Sequence, residues 1–166
     1  MNKIEEFVSY LKANKLRLAT AESCTAGMIV SLLANIEGSG ACMDCGYVVY
    51  SPEAKIRLLG VNPETIDQYN LTSEAVAREM AAGALRNSDA TIAIANTGIA
   101  GPEPQDGIVP GTVCFAWVFL HEGESRMFSR CVRFSGDRNE VREAAARHAL
   151  AQACVFHQRV LRGDYE

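Results

Sequence analysis

The sequence predicts an α/β protein, a three-layer α/β/α sandwich around a mixed sheet of about five strands. Helical and strand-like segments alternate through the first half of the chain, which is typical of a sheet with parallel strands. The segment "ATIAIANTG" (residues 90–98) is a continuous apolar run, as expected of a central strand covered on both faces. Two later strand-like segments are separated by "HEGE", which predicts an antiparallel hairpin.

The helices are predicted from apolar periodicity and from the residues that begin and end them. Residues 3–14 place apolar side chains on one helical face. Ser51 and Pro52 are a typical N-cap and first helical residue, and Gly60 ends the helix that they begin. The predicted helices are residues 3–14, 24–35, 52–59, 62–69, 72–88 and 139–162.

The strands are short apolar runs bounded by turn residues. They are predicted at residues 17–21, 46–51, 90–98, 112–120 and 125–134. A segment rich in Gly and Pro, residues 98–111, predicts a loop after the central strand.

Composition narrows the class of protein. A chain of 166 residues with 48% hydrophobic content suits one compact domain, residues 1–166. A formal net charge of -4 disfavours a nucleic-acid partner bound through its phosphates. The first residues are too charged for a signal peptide, and no apolar run reaches the roughly 18 residues that a membrane helix needs. We therefore expect a cytoplasmic protein with no membrane partner, and we also expect a homo-oligomer of a size that the sequence does not select.

The six cysteines are expected to be free thiols, because nothing in the sequence indicates secretion. Cys114 and Cys131 fall in predicted strands, where a thiol behaves as a small apolar group. Cys42 and Cys45 form a lone CxxC, but a structural zinc site needs four ligands and no second pair follows. We therefore predict no metal site.

Polar residues gather in three clusters, each of which follows a predicted strand. The clusters are "AESCT" (21–25), "YSPEAK" (50–55) and "NTGIAGP" (96–102). Ligands of open α/β sheets bind beyond the carboxyl ends of the parallel strands, so we expect the three clusters to lie close together.

The first two clusters offer a nucleophile and a base. Ser23 lies at a strand-to-helix turn, where it either caps the helix or acts as a nucleophile, and position alone does not separate it from Cys24. No His falls in any cluster, so a Ser–His–Asp triad has little support. Lys55 is the candidate base if burial lowers its pKa, and an ordinary solvated lysine is the alternative. Tyr50 either relays a proton, orients the lysine or packs in the strand.

The third cluster offers backbone donors. Glycines such as Gly98 and Gly101 let the main chain approach a ligand, and successive N–H groups bind an anion or oxyanion. The spacing fits neither a phosphate-binding P-loop nor a dinucleotide fingerprint. On spacing alone the cluster is a turn with some capacity for binding.

Taken together, these motifs resemble the CinA C-terminal domain family, whose best-known activity is that of a nicotinamide-nucleotide amidase. The resemblance lies in "TAESCTAG", "GYVVYSPEAK", "LTSEAVAREMAAGAL", "TGIAGP", "GTVCFAW" and "FSGDRNEVR", which occur in the family's order over nearly the whole chain. It implies the α/β/α fold reached above. It also implies a stand-alone form, since some members carry an additional N-terminal domain.

The resemblance implies a role for each site residue. Ser23 would be the nucleophile, Lys55 its base and Tyr50 a neighbour of both. A small-molecule nucleotide, nicotinamide mononucleotide, would be the substrate and no cofactor would be needed. The residues assigned to substrate binding are Glu22, Thr25, Thr97, Gly98, Gly101 and Arg138.

The chain departs from the family pattern at two places. Ala26 stands where many members have Gly, a change that is harmless if the position is helical. The segment "EPQDGIVPG" (103–111) lacks the Gly–Gly and the Lys of many active members. Arg138 and Arg142 keep the family's pattern and are expected either to bind a phosphate or to form exposed salt bridges.

Two alternatives to an amidase remain open from the sequence. The altered loop favours an inactive binding or regulatory module, linked to competence or DNA damage as the family's name suggests. A zinc-dependent hydrolase that uses Cys42, Cys45 and a His is the other.

Overall fold

The sheet is mixed and five-stranded, which confirms the predicted fold class. The computed structural model describes residues 2–166. The strands are β1 (Leu18–Glu22), β2 (Met43–Val48), β3 (Ile92–Gly98), β4 (Thr112–His121) and β5 (Glu124–Arg133). Their order is β2-β1-β3-β4-β5, with β1 parallel to both of its neighbours and β4 antiparallel to both of its own.

Helices cover both faces of the sheet. They are α1 (Lys3–Ala13), α2 (Met28–Ala34), α3 (Pro52–Leu59), α4 (Pro63–Tyr69), α5 (Glu74–Arg86) and α6 (Arg138–Leu161). One layer contains α1, α2 and α6, and the other contains α5 with α3 and α4 packed beside it. The number, type and order of the helices and strands therefore agree with the sequence prediction.

Alternation along the central strands produces two different cores. In β3, Ile92 and Ile94 face the layer of α6, whereas Ala93 and Ala95 face α5. The small side chains on the α5 face let that helix lie close to the sheet. Gly83 of α5 continues this close packing, because a Cβ there would lie 2.0 Å from the carbonyl oxygen of Leu59 in α3. The position of α3, and with it Lys55, thus depends on small residues in α5.

Two predicted boundaries are wrong. The second helix begins at Met28 rather than at residue 24, because Ala26 (φ 51°) and Gly27 (φ 92°) adopt left-handed backbone conformations that no helix contains. Strand β2 covers Met43–Val48 rather than 46–51, starting directly after a 3₁₀ turn at Ser39–Cys42. In both cases the error lies at the end of an element and its type is correct.

The expectation of six free thiols is also wrong. Cys114 and Cys131 form a disulfide between β4 and β5, where they occupy directly opposite positions of the hairpin. The other four cysteines are free. The hairpin itself was predicted, but its register was not, and only the register brings the two thiols together.

Within residues 2–166, no group of three or more His, Cys, Asp or Glu side chains is arranged to hold a metal ion. No helix in the same part of the chain combines the length and the apolar character needed to span a bilayer.

Candidate active site

Ser23 and Lys55 meet at the carboxyl ends of the parallel strands. Ser23 follows β1 directly, and Lys55 lies in the first turns of α3, which follows β2. The Lys55 Nζ donates a hydrogen bond to Ser23 Oγ at 3.0 Å. Its other two hydrogen bonds go to the main-chain carbonyls of Val49 (2.9 Å) and Tyr50 (3.1 Å). The structure therefore brings the predicted nucleophile and base into direct contact.

The environment of Lys55 lowers its pKa. The side chain is 1% exposed, and burial disfavours its charged form, which moves the pKa from 10.5 to about 8. Among residues 2–166, no acidic side chain forms an ion pair with Lys55. A neutral amine still has two protons for the two carbonyls, which leaves its lone pair for the proton of Ser23.

Cys24 is a poor nucleophile in this site. Its thiol is buried at 4% exposure and lies 3.5 Å from Asn96 Oδ1. Burial raises the pKa of the thiol to about 12, so the reactive thiolate is scarce at neutral pH. These observations favour Ser23 over Cys24.

Tyr50 and Arg138 form one wall of the site. The Tyr50 hydroxyl accepts a hydrogen bond from Arg138 Nη2 at 3.1 Å, while Arg138 Nη1 donates to the Gly101 carbonyl at 2.7 Å. Tyr50 contacts Lys55 through its main-chain carbonyl and not through its hydroxyl. The geometry thus fits the orientation of Lys55 by the backbone of Tyr50 rather than a proton relay by its ring.

A cavity of about 630 Å³ opens above the Ser–Lys pair. It is lined by Ser23 and Lys55, by Tyr50 and Arg138, and by the "TGIAGP" segment with Thr97, Gly98 and Gly101. The altered loop contributes Glu103, Pro104, Gln105 and Asp106 to the same wall. The three predicted clusters therefore share one cavity, and the segment that departs from the family faces it.

Glu22 and Thr25 do not line this cavity, which argues against the substrate-binding role predicted for them. Both are fully buried, and the Glu22 carboxyl group accepts hydrogen bonds from the N–H groups of Ile29 (2.9 Å) and Val30 (3.3 Å) at the start of α2. The buried Glu22 carboxyl group thereby accepts hydrogen bonds from the N–H groups that a ligand at the start of α2 would need. The first N–H groups of α2 are consequently not free to stabilise an oxyanion.

Other backbone donors remain for an oxyanion. The N–H groups of Cys24 and Gly101 have no hydrogen-bond acceptor within residues 2–166, and both residues line the cavity. They lie in the turn after β1 and in the loop after β3, respectively. We regard them as the candidate oxyanion donors in place of the helix start.

Two residues hold the turn that carries Ser23, and the sequence predicted this role for neither of them. Arg142 of α6 donates to the carbonyls of Cys24 (2.9 Å) and Thr25 (3.2 Å), and so is committed to the turn rather than to a phosphate or a salt bridge. Asn96 accepts from the Ser23 N–H through its main-chain oxygen (3.2 Å) and its Oδ1 (3.4 Å). The only signal for Asn96 in the sequence was its polarity at the end of an apolar strand.

The fold and the site together define an α/β protein with a Ser–Lys pair at the carboxyl ends of its parallel strands. Residues 2–155 match the CinA C-terminal domain, and the chain belongs to that family. This confirms the resemblance drawn from the motifs.

Relatives in the family differ in length and in name. The chain is 42% identical to the nicotinamide-nucleotide amidohydrolase PncC of Shigella flexneri, over 88% of this chain and 87% of that protein. It is 41% identical to protein YdeJ of Escherichia coli K12, over 86% of this chain and 81% of the relative. A CinA-like protein of Mycobacterium marinum is 42% identical over 92% of this chain, which spans only 36% of that longer protein.

Solved structures agree with the fold. The competence or damage-inducible protein of Enterobacter asburiae superposes with a TM-score of 0.83 at 43% identity, covering 92% of this chain and 96% of its own. The competence/damage-inducible protein CihA of Agrobacterium tumefaciens gives 0.84 at 35% identity, over 95% and 97% of the two chains.

Proposed function

We propose that this protein is an amidase that hydrolyses the carboxamide of a nicotinamide nucleotide through a Ser–Lys mechanism. The observation that carries the proposal is the 3.0 Å contact between Lys55 Nζ and Ser23 Oγ, made by a buried lysine without an acidic partner in the described chain. The relative from Shigella flexneri, named a nicotinamide-nucleotide amidohydrolase, supports this substrate class.

The reaction begins with attack of Ser23 Oγ on the carboxamide carbon. Neutral Lys55 accepts the hydroxyl proton as the new C–O bond forms, and backbone N–H groups beside the cavity hold the oxyanion. The protonated lysine then returns the proton to the leaving nitrogen, so the C–N bond breaks and ammonia departs. The nicotinoyl group remains as an ester of Ser23.

Water completes the cycle. Lys55 is neutral again once ammonia has left, and it accepts a proton from the water that attacks the ester carbon. The ester C–O bond breaks, Ser23 regains its proton from Lys55, and the nicotinate nucleotide is released. No cofactor takes part in the proposed cycle.

Arg138 is the proposed contact for the nucleotide phosphate. It is an exposed cation of the cavity wall, and the bonds to Tyr50 and Gly101 fix its guanidinium while leaving further N–H groups free. Thr97, Gly98 and Gly101 would line the rest of the substrate site, with Gly101 in direct contact with Arg138. A charged hydrogen bond to phosphate contributes about 1.5–3 kcal/mol, so Arg138→Gln should raise KM about tenfold or more.

The first experiment measures ammonia release from nicotinamide mononucleotide by the wild-type protein and two adjacent variants. We expect Ser23→Ala to abolish turnover and Cys24→Ala largely to preserve it. Each replacement removes a single heavy atom beyond Cβ, so the pair is a matched test of the nucleophile. Turnover that survives in the serine variant would overturn the mechanism.

A panel of pyridine nucleotides with and without the 5′-phosphate separates substrate recognition from chemistry. Arg138→Gln should raise KM for the phosphorylated substrates more than for the unphosphorylated ones. If the wild-type protein binds these ligands but releases no ammonia from any of them, the inactive regulatory module is favoured instead. The altered loop that lines the cavity is the feature that supports this second candidate.

A cytoplasmic homo-oligomer remains our prediction for the assembled protein. Exposed apolar side chains lie in and after the edge strand β2, among them Val48 at 52% and Tyr50 at 56%. Light scattering of the purified protein measures the mass directly, and a monomer at micromolar concentration would contradict this prediction.

A further inference from the structure

Behind the Ser–Lys pair, three buried side chains that take no part in the proposed chemistry form a continuous hydrogen-bonded chain. Asn96 Nδ2 donates to Thr25 Oγ1 at 2.8 Å, and Thr25 Oγ1 donates to Glu22 Oε1 at 2.7 Å. All three residues are 0% exposed. They come from the ends of β1 and β3 and from the turn between β1 and α2.

The hydrogen bonds that link Asn96, Thr25 and Glu22 all run in one donor-to-acceptor direction. A hydroxyl has one proton, and Thr25 gives its proton to a carboxyl oxygen, so it receives a hydrogen bond from Asn96. This requirement turns the amide nitrogen of Asn96 toward Thr25 and its Oδ1 toward the N–H of Ser23. Glu22 therefore sets the orientation of the Asn96 amide, although two hydrogen bonds separate the two residues.

Glu22 connects this hydrogen-bonded series to the strand and the helix on either side of the turn. Its two oxygens accept from the hydroxyls of Thr20 and Thr25 and from the N–H groups of Ile29 and Val30. The same carboxyl group thus fixes the end of β1, the start of α2 and, through Thr25, the amide of Asn96. A buried network in which every member is satisfied specifies one geometry.

We propose that Glu22, Thr25 and Asn96 are positioning residues that hold the Ser23 turn in register with Lys55. They approach the turn from the sheet, and Arg142 holds its carbonyls from α6. Ser23 itself lies between these two sets of contacts. This inference rests on the proposed nucleophile, but not on the identity of the substrate.

The test replaces Thr25 by Val, which keeps the shape of the side chain and removes the hydroxyl. Asn96 and Glu22 then each lose a partner, and a misplacement of Ser23 by about 1 Å lowers kcat by about 100-fold. We expect KM to change little, because none of the three residues lines the cavity. Thr25→Ser, which restores the hydroxyl, should recover most of the rate.

Thr20→Val is the matched control. It removes a different hydroxyl from the same Glu22 carboxyl group, at 3.2 Å, and leaves the bonds between Glu22, Thr25 and Asn96 intact. Equal losses of kcat in Thr20→Val and Thr25→Val, or no loss in Thr25→Val, would overturn the proposal.

A second variant keeps the test decisive if Thr25→Val does not fold. Asn96→Asp is isosteric, but two carboxyl groups then compete for the single proton of Thr25, and a negative charge lies beside the Ser–Lys pair. An opposite charge favours protonated Lys55, so the rising limb of the pH–rate profile should move to higher pH. The shift of the limb reports the new charge alone, so the positioning role is judged on the plateau rate above the limb. We expect a large loss of kcat on that plateau, and a plateau rate equal to that of the wild type would contradict the positioning role.

Labelling of Ser23 by an arylsulfonyl fluoride gives a readout that is independent of the substrate. We expect labelling of the wild-type protein and of Thr20→Val, and slow labelling of Thr25→Val and Asn96→Asp. Labelled wild-type protein that releases no ammonia contradicts the proposed function alone. Equal labelling of all variants contradicts the positioning role alone, and an unlabelled wild-type protein contradicts both.

Discussion

Lys55 illustrates how a single residue acquires its chemistry from its surroundings. Its side chain is almost fully buried, and its three hydrogen-bond partners are one hydroxyl and two carbonyls, none of which carries a charge. Burial without a counter-charge brings the pKa to about 8, near the pH at which a general base is most effective.

The proposed role of Lys55 as base predicts how the rate depends on pH. The base must be neutral, so kcat/KM should rise with pH along a limb centred near 8 and then level off. At pH 7, roughly a tenth of the molecules would carry the neutral amine. The measurement is kcat/KM from pH 6 to 10, and a rate independent of pH in this range would contradict the role of Lys55 as base.

The same pKa makes a prediction about stability. Between pH 8 and about 10.5 the unfolded chain still binds the Lys55 proton and the folded protein does not, so stability rises with pH in this window. Below pH 8 both states are protonated and the cost of burying the charge is present in full. Relative to Lys55→Met, the free energy of unfolding of the wild type should rise by up to about 1.4 kcal/mol per pH unit there. Urea titrations of both proteins at pH 7.5, 9 and 10 measure the difference, and a constant difference would contradict the lowered pKa.

At the residue scale, the sequence pointed to Ser23 and Lys55, which the structure places in contact, but not to the side chains that hold the Ser23 turn. Ser23 and Lys55 are recognisable because each is a reactive type just after a predicted strand. Glu22 lies where a substrate-binding residue is also expected, at the end of a strand. Only its complete burial shows that it supports the turn and does not contact a substrate in the cavity. The role of Asn96 depends on which end of its amide faces Thr25, which no sequence pattern encodes.

At the scale of elements, the turn between β1 and α2 places Ser23 at the edge of the cavity. Residues 24–27 form turns and α2 begins only at Met28, with Gly27 (φ 92°) as its N-cap. Ala26 lies in the left-handed region at φ 51°, where a Cβ is unfavourable. Ala26 is therefore not helical, and the expectation that Ala is harmless at this position is wrong.

Ala26→Gly should stabilise the protein. Glycine removes the clash of Cβ at positive φ but gives the unfolded chain more freedom, and the net gain in the free energy of unfolding is expected to be about 0.5–1 kcal/mol. Ala34→Gly, the same chemical change at the exposed helical end of α2, should instead destabilise by about 0.5–1 kcal/mol. Urea denaturation measures both, and two losses of equal size would contradict the strain at Ala26.

Helices and strands could be predicted where a local pattern of residues runs through them. Features that depend on contacts with another element could not. The apolar run of β3 and the hairpin of β4 and β5 are visible in the sequence because each follows a local rule. The disulfide depends on Cys114 lying opposite Cys131, which is a property of two paired strands and not of either one. The start of α2 depends on two left-handed residues, and only one of them is a glycine.

At the scale of the whole molecule, the site is made by every layer of the sandwich. Ser23 comes from the end of β1, Lys55 from the α3–α5 layer and Arg138 from the first turn of α6, and the remaining wall is the loop after β3. The sheet and α6 are joined at their centre by Trp117 of β4, which is 0% exposed and donates to the Ala149 carbonyl at 2.8 Å. No subset of the layers retains the complete cavity.

During denaturation, the protein should therefore lose its activity at the same urea concentration at which its core unfolds. Trp117 is the only tryptophan, so its fluorescence reports the interface between the sheet and α6. In urea, ammonia release or labelling of Ser23 should fall with the same midpoint as the Trp117 emission, because one cooperative transition separates all the contributing elements. If activity is lost at a lower urea concentration while the emission is unchanged, part of the site opens as a separate unit of lower stability. That result would contradict the expectation that the site is lost only when the whole fold is lost.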